Sequence, residues 1–158
     1  MDAVRTVCAC VLAASFFVPL AVAVVVDLRD RRIPNGCVWL IALGGLLQWG
    51  LCAVDPAAPF SWLAPGIERL LCCLGCLGVG VAAEMLWRRR HAGAHGMGMG
   101  DIKLLAAVAL WIGSAVFVAV GAACLLALAV ETPRGCRTFA FGPYIAVASV
   151  VCLVVAVL

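Results

Sequence analysis

Ile102–Val130 reads IKLLAAVALWIGSAVFVAVGAACLLALAV, and how it folds sets the number of helices in the chain. As one helix at about 1.5 Å per residue it would reach roughly 43 Å. That is long for one crossing of a hydrocarbon core of about 30 Å and short for two. Gly113-Ser114, near the middle, offers a tight turn. The flanking charges decide between the two. The segment Glu131 to Thr138 carries Arg134 and Arg137. A hairpin returns it to the side that holds most other bases, whereas one long helix puts it opposite, against the enrichment of Lys and Arg in cytoplasmic loops. A hairpin with a short fourth helix is therefore expected.

Composition points the same way. Of 158 residues, 66% are hydrophobic and 12% charged, half the charge of an ordinary soluble domain. The length suits about six spans. The expected fold class is all-α: a polytopic integral membrane protein of about six transmembrane helices, forming one membrane-embedded unit over residues 1–158. The net charge of +3 does not imply nucleic acid, because the bases lie between apolar segments and report orientation instead.

Outward from the hairpin, the first apolar segment is Ala3 to Val26. Ala21-Val22-Ala23 resembles a signal-peptide cleavage site. The run is long enough to span, however, and only Arg5 precedes it while Arg29, Arg31 and Arg32 follow. That pattern favours an uncleaved helix with its N-terminus outside. Asp27 to Gly36 then reads as a cytoplasmic loop, with Asn35 a good N-cap for a second span from Cys37 to about Val54. Asp55-Pro56 ends that span, and Trp49 and Trp62 bracket the outer loop. The third span is Ile67 to Trp87, where Gly75, Gly78 and Gly80 permit close helix contact. Arg88-Arg89-Arg90 follows as a cytoplasmic anchor. Glu84 is expected to pair with a neighbouring arginine rather than act as a third active-site acid. The last segment, Phe141 to Leu158, enters from the cytoplasm with Pro143 in its first turn. In this topology nine of the eleven bases lie inside, and only Arg5 and Arg69 lie outside.

Ten cysteines raise disulfide and zinc readings. Most lie in apolar runs, where cysteine behaves as a small hydrophobe. Cys72, Cys73 and Cys76 lack a second pair at zinc-site spacing. His91 and His95 lack a helical context or an intervening glutamate. No metal or other cofactor is expected.

Chemistry concentrates at Asp27 and at Gly98-Met99-Gly100-Asp101, both on the cytoplasmic face of this topology. An acid at the edge of hydrocarbon is costly and marks function. Two carboxylates held together share a proton, so one removes a proton from water while the other donates to a carbonyl oxygen. Gly98 and Gly100 would let an extended substrate backbone approach. Lys103 either anchors to lipid phosphate or tunes the pair. Met97 and Met99 read as membrane-surface or substrate contacts. A rival reading is a proton-coupled transporter or channel with the aspartates as a relay. It explains neither their placement at one face nor the glycines, and a non-catalytic scaffold would need neither acid.

Three stretches together resemble the type IV prepilin peptidases of the GxGD aspartic protease group. They are Asp27 with Arg32-Ile33-Pro34-Asn35, then Gly98-Met99-Gly100-Asp101 with Lys103, then Phe141-Gly142-Pro143-Tyr144. The resemblance implies a plasma-membrane endopeptidase with Asp27 and Asp101 catalytic. Gly98, Gly100, Lys103, Ile33, Pro34, Asn35, Gly142 and Pro143 would be supporting motif residues. It implies pilin-like membrane precursors as substrates, cut at the cytoplasmic face between a short basic leader and an apolar helix. Larger members add a zinc-binding CxxC segment and N-methylate the product. Nothing here matches that segment, so a peptidase-only short form is expected.

Overall fold

The computed structural model describes residues 2–55, 66–91, 97–132 and 140–157. Six helices follow in order: α1 Asp2–Asp30, α2 Asn35–Val54, α3 Gly66–Arg90, α4 Met99–Ile112, α5 Ala115–Glu131 and α6 Gly142–Val157. The fold is all-α. The first three helices are long and apolar enough to cross a membrane, and α5 and α6 are shorter apolar helices.

The short α4 is the axis of the bundle. Residues 104–112 are buried without exception. A helix that is apolar all round needs neighbours all round. Four helices, α2, α3, α5 and α6, pack on it, and α1 closes the bundle against α2 and α6. Within this core the indole N–H of Trp111 donates to the Ile41 carbonyl at 2.8 Å. Its ring lies 5.1 Å from that of Phe16, so one side chain ties α4 to both α2 and α1. Outside, large apolar side chains such as Trp39, Val79 and Leu125 stand exposed. So much apolar surface suits lipid rather than water.

The hairpin forms at Gly113-Ser114. Gly113 has φ 56° and ψ −133°, a conformation that side chains with a Cβ avoid. Its N–H bonds to the Ala109 carbonyl at 2.9 Å. Glu68, in the first turn of α3, accepts the Ser114 N–H at 3.1 Å and fastens the turn to a second helix.

Helix boundaries differ from expectation around the first aspartate. α1 does not stop near Val26 but runs to Asp30, so Asp27 lies on a helix rather than in a loop. Charged residues at a membrane surface are solvated without breaking the backbone ladder, and the helix continues for one turn past its apolar run. It ends where Arg31 adopts φ 52°, the left-handed conformation of a helix C-cap. The Arg31 N–H closes the last turn onto the Asp27 carbonyl at 3.0 Å. α2 then begins at Asn35 with extended Pro34 in the cap position and no side-chain cap. Asn35 is therefore not the N-cap, and its side chain is used elsewhere.

In α3, Gly80 alone of the three expected contact glycines meets a neighbour. A Cβ there would lie 2.7 Å from Ile102 of α4, whereas Gly75 and Gly78 face open space. Glu84 is buried and pairs with Arg88 Nε at 2.6 Å, as expected for a carboxylate near the helix end. His91 stacks on Trp87 at 4.1 Å. The described cysteines are all free thiols. Trp62, His95, Arg134 and Arg137 lie outside the described residues.

Candidate active site

Asp27 sits one turn before the end of α1 and is 5% exposed. Asp101 sits in the first turn of α4. These two side chains, far apart in sequence, line one cavity of about 300 Å³.

Two helix N-termini converge on the pair. Asp101 lies in the first turn of its own helix, where the dipole favours negative charge. The first residue of α6, Gly142, donates its backbone N–H to Asp27 Oδ2 at 2.9 Å. An N–H free of the helical ladder thus finds a carboxylate from the opposite end of the chain. A Cβ on Gly142 would lie 2.7 Å from that oxygen, so the approach requires glycine. Pro143 follows at the second helical position, where its missing N–H costs no intrahelical bond. By contrast Oδ1 of Asp101 is buried with no hydrogen-bond partner among the described residues.

The glycines before Asp101 make room from within. A Cβ on Gly98 would sit 2.9 Å from Asp101 Oδ2, and one on Gly100 would sit 3.1 Å from the Ile33 Cβ. Gly98 thus admits the carboxylate, and Gly100 admits the loop between α1 and α2. Across the rim, Lys103 Nζ donates to Asn35 Oδ1 at 3.3 Å, joining the start of α4 to the start of α2. This is the use to which Asn35 is put in place of capping.

Of the expected supporting residues, Ile33, Asn35, Gly98, Gly100 and Lys103 line the cavity. Pro34 stands at the start of α2, where its carbonyl accepts the Cys37 and Val38 N–H groups. Gly142 and Pro143 act from the start of α6. Arg31 and Arg32 also line the cavity. Sequence reasoning treated both as orientation signals, with Arg32 also part of the stretch that follows Asp27 in the family resemblance. It also missed the Tyr144 hydroxyl, which donates to Glu131 and ties α6 to the end of α5. Met99 joins the cavity wall, while Met97 borders a separate space with Glu84 and Trp87. Glu84 is not part of the aspartate cavity. Among the described residues, no three His, Cys, Asp or Glu side chains gather as a metal-binding group.

No curated protein and no solved structure matches the sequence. A family model described as the type IV leader peptidase family matches residues 14–131, well over half of the chain. That span includes both aspartates and stops short of α6.

Proposed function

Because the chain belongs to the type IV leader peptidase family, we propose that it cleaves pilin-like membrane precursors with Asp27 and Asp101 as its catalytic pair. One observation carries the reading: two buried or half-buried carboxylates from different helices open into one cavity. In the proposed reaction a water lies between them. A donated backbone N–H suits an ionised carboxylate, so Asp27, which accepts from Gly142, takes the proton of the attacking water. Asp101, whose Oδ1 has no described partner, donates its proton to the scissile carbonyl oxygen. The tetrahedral intermediate then collapses: the C–N bond breaks, the proton held by Asp27 passes to the leaving amine, and Asp101 takes back a hydroxyl proton as the new carboxyl group forms, which restores the pair.

The proposed setting is the plasma membrane, with the N-terminus outside and the cavity at the cytoplasmic face. Arg31 and Arg32 at the cavity and the arginines ending α3 agree with that orientation. The proposed substrate carries a short basic leader followed by an apolar helix. The proposed activity is peptidase without methyltransferase, because no stretch of the chain resembles the added segment of the larger family members.

The test is co-expression with the host's own pilin-like precursors, comparing wild type with Asp27→Asn and Asp101→Asn by mobility shift. Cleavage by wild type and by neither variant is expected. Cleavage that survives either substitution removes that aspartate from catalysis. Failure of wild type on the whole precursor panel overturns the substrate assignment.

A further inference from the structure

α2 and α3 both pack on α4 but scarcely on each other. Between them lies an apolar groove of about 380 Å³. Val38, Ala42 and Leu46 of α2 form one wall, Leu77 of α3 the other, and Ala106 and Leu110 of α4 the floor. The α2 positions lie four and eight residues apart from one another, so they share one helix face. From Asn35 to Leu46 the wall runs about 16 Å, roughly three helical turns.

The groove is not an isolated cleft. Its polar end is formed by Asn35 and Lys103, the same two side chains that line the aspartate cavity. The two spaces therefore meet at the Lys103–Asn35 hydrogen bond. The combined track is polar at Arg31 and Arg32, acidic in the middle and apolar along α2. A second apolar cleft between α5 and α6, of about 430 Å³, includes Ala122 and Val151 but no residue of the aspartate cavity.

We infer that the groove between α2 and α3, floored by α4, holds the apolar helix of the substrate that follows the scissile bond. The inference rests on the peptidase reading above. A chain whose scissile bond reaches Asp27 and Asp101 leaves the cavity past Asn35 and Lys103 into an apolar slot with no backbone donors or acceptors to offer. Only a segment that satisfies its own backbone bonds and presents apolar side chains fits there, which is a helix. Docking selects for apolar side chains on the turns nearest the cleavage point, while the aspartates act on the backbone and select little. Specificity then resides in Ala42, Leu46 and Leu77 rather than in the acids.

The test fills each cleft in turn. Ala42→Trp obstructs the groove, and Ala122→Trp obstructs the α5–α6 cleft as a matched control. Processing of a tagged, co-expressed precursor is expected to slow about tenfold or more in Ala42→Trp, the loss of roughly one large side chain's burial. It is expected to stay within about twofold of wild type in Ala122→Trp. Equal rates in the two variants overturn the inference. A second measurement does not depend on Ala42→Trp folding: a photo-crosslinking residue at Leu46 or at Val151, in an Asp101→Asn background. Capture of uncleaved precursor from position 46 and not from position 151 is expected. Capture of lipid alone, or equal capture at both positions, overturns the groove while leaving the peptidase reading intact. If wild type cleaves no precursor of the whole panel, the substrate assignment above fails and the groove assignment fails with it.

Discussion

Gly142 donates its backbone N–H to Asp27 Oδ2 at 2.9 Å, so the last helix begins on a carboxylate in the last turn of the first. The contact fixes the aspartate and points a helix N-terminus at it. A hydrogen bond to a charged group contributes about 1.5–3 kcal/mol net, roughly a 10- to 150-fold effect if it is felt in the transition state. Gly142→Ala places a Cβ 2.7 Å from the oxygen and must displace it. Precursor processing should fall by about tenfold or more while the protein still accumulates in the membrane. Pro143→Ala leaves the N–H in place and should cost far less. Equal losses in the two variants would mean that α6 matters only as packing.

A second close approach is testable as a pair. The Cβ that Gly100→Ala adds would lie 3.1 Å from the Ile33 Cβ. The substitution should push the α1–α2 loop away from the cavity and reduce processing. Ile33→Ala removes the obstruction, so the double variant should recover activity lost in Gly100→Ala. Contacting residues couple by about 0.5–3 kcal/mol in such cycles. Strict additivity of the two substitutions would show that Gly100 acts otherwise, for instance through loop mobility.

Much of this was legible in the sequence, and the limits have physical causes. The hairpin was readable because helix rise, bilayer thickness and loop charge bear on one question, and Gly113-Ser114 stood near the middle of the run. Asp27 and Asp101 stood out because acids are scarce in so apolar a chain. The end of α1 was misread because Asp27–Arg32 is dense in charge, and charge density resembles a loop at a water–lipid boundary. The role of Gly142 was not derivable locally. Its partner lies at the other end of the chain, and the signal is a backbone N–H that no residue type announces. Asn35 was misassigned because capping and long-range hydrogen bonding call for the same side chain.

The hairpin turn carries its own prediction. At φ 56° and ψ −133°, Gly113 occupies a region that residues with a Cβ adopt only under strain. Gly113→Ala should destabilise the protein by about 1–3 kcal/mol, with a β-branched residue worse. Thermal unfolding in detergent reads this directly. Ser114→Ala keeps the N–H that Glu68 accepts and should be mild by comparison. A Gly113→Ala midpoint equal to wild type would mean that the turn relaxes to another geometry.

At the loop end of α2, away from the aspartate cavity, the guanidinium of Arg69 on α3 is buried and donates to the amide oxygen of Gln48 on α2, itself fully buried. This bond is one of few links between two helices that hardly pack on each other. Gln48→Leu takes one acceptor from a buried cation, and breaking such a buried polar pair by removing one partner costs more than replacing both. Gln48→Leu should therefore lower the unfolding midpoint, and Gln48→Leu with Arg69→Met should restore much of it. Neither residue lines the aspartate cavity, so processing by folded Gln48→Leu at permissive temperature should match wild type. A double variant less stable than Gln48→Leu alone would show that Arg69 stabilises through its other contacts. A fall in processing that outruns the loss of folded protein would instead tie the α2–α3 spacing to catalysis.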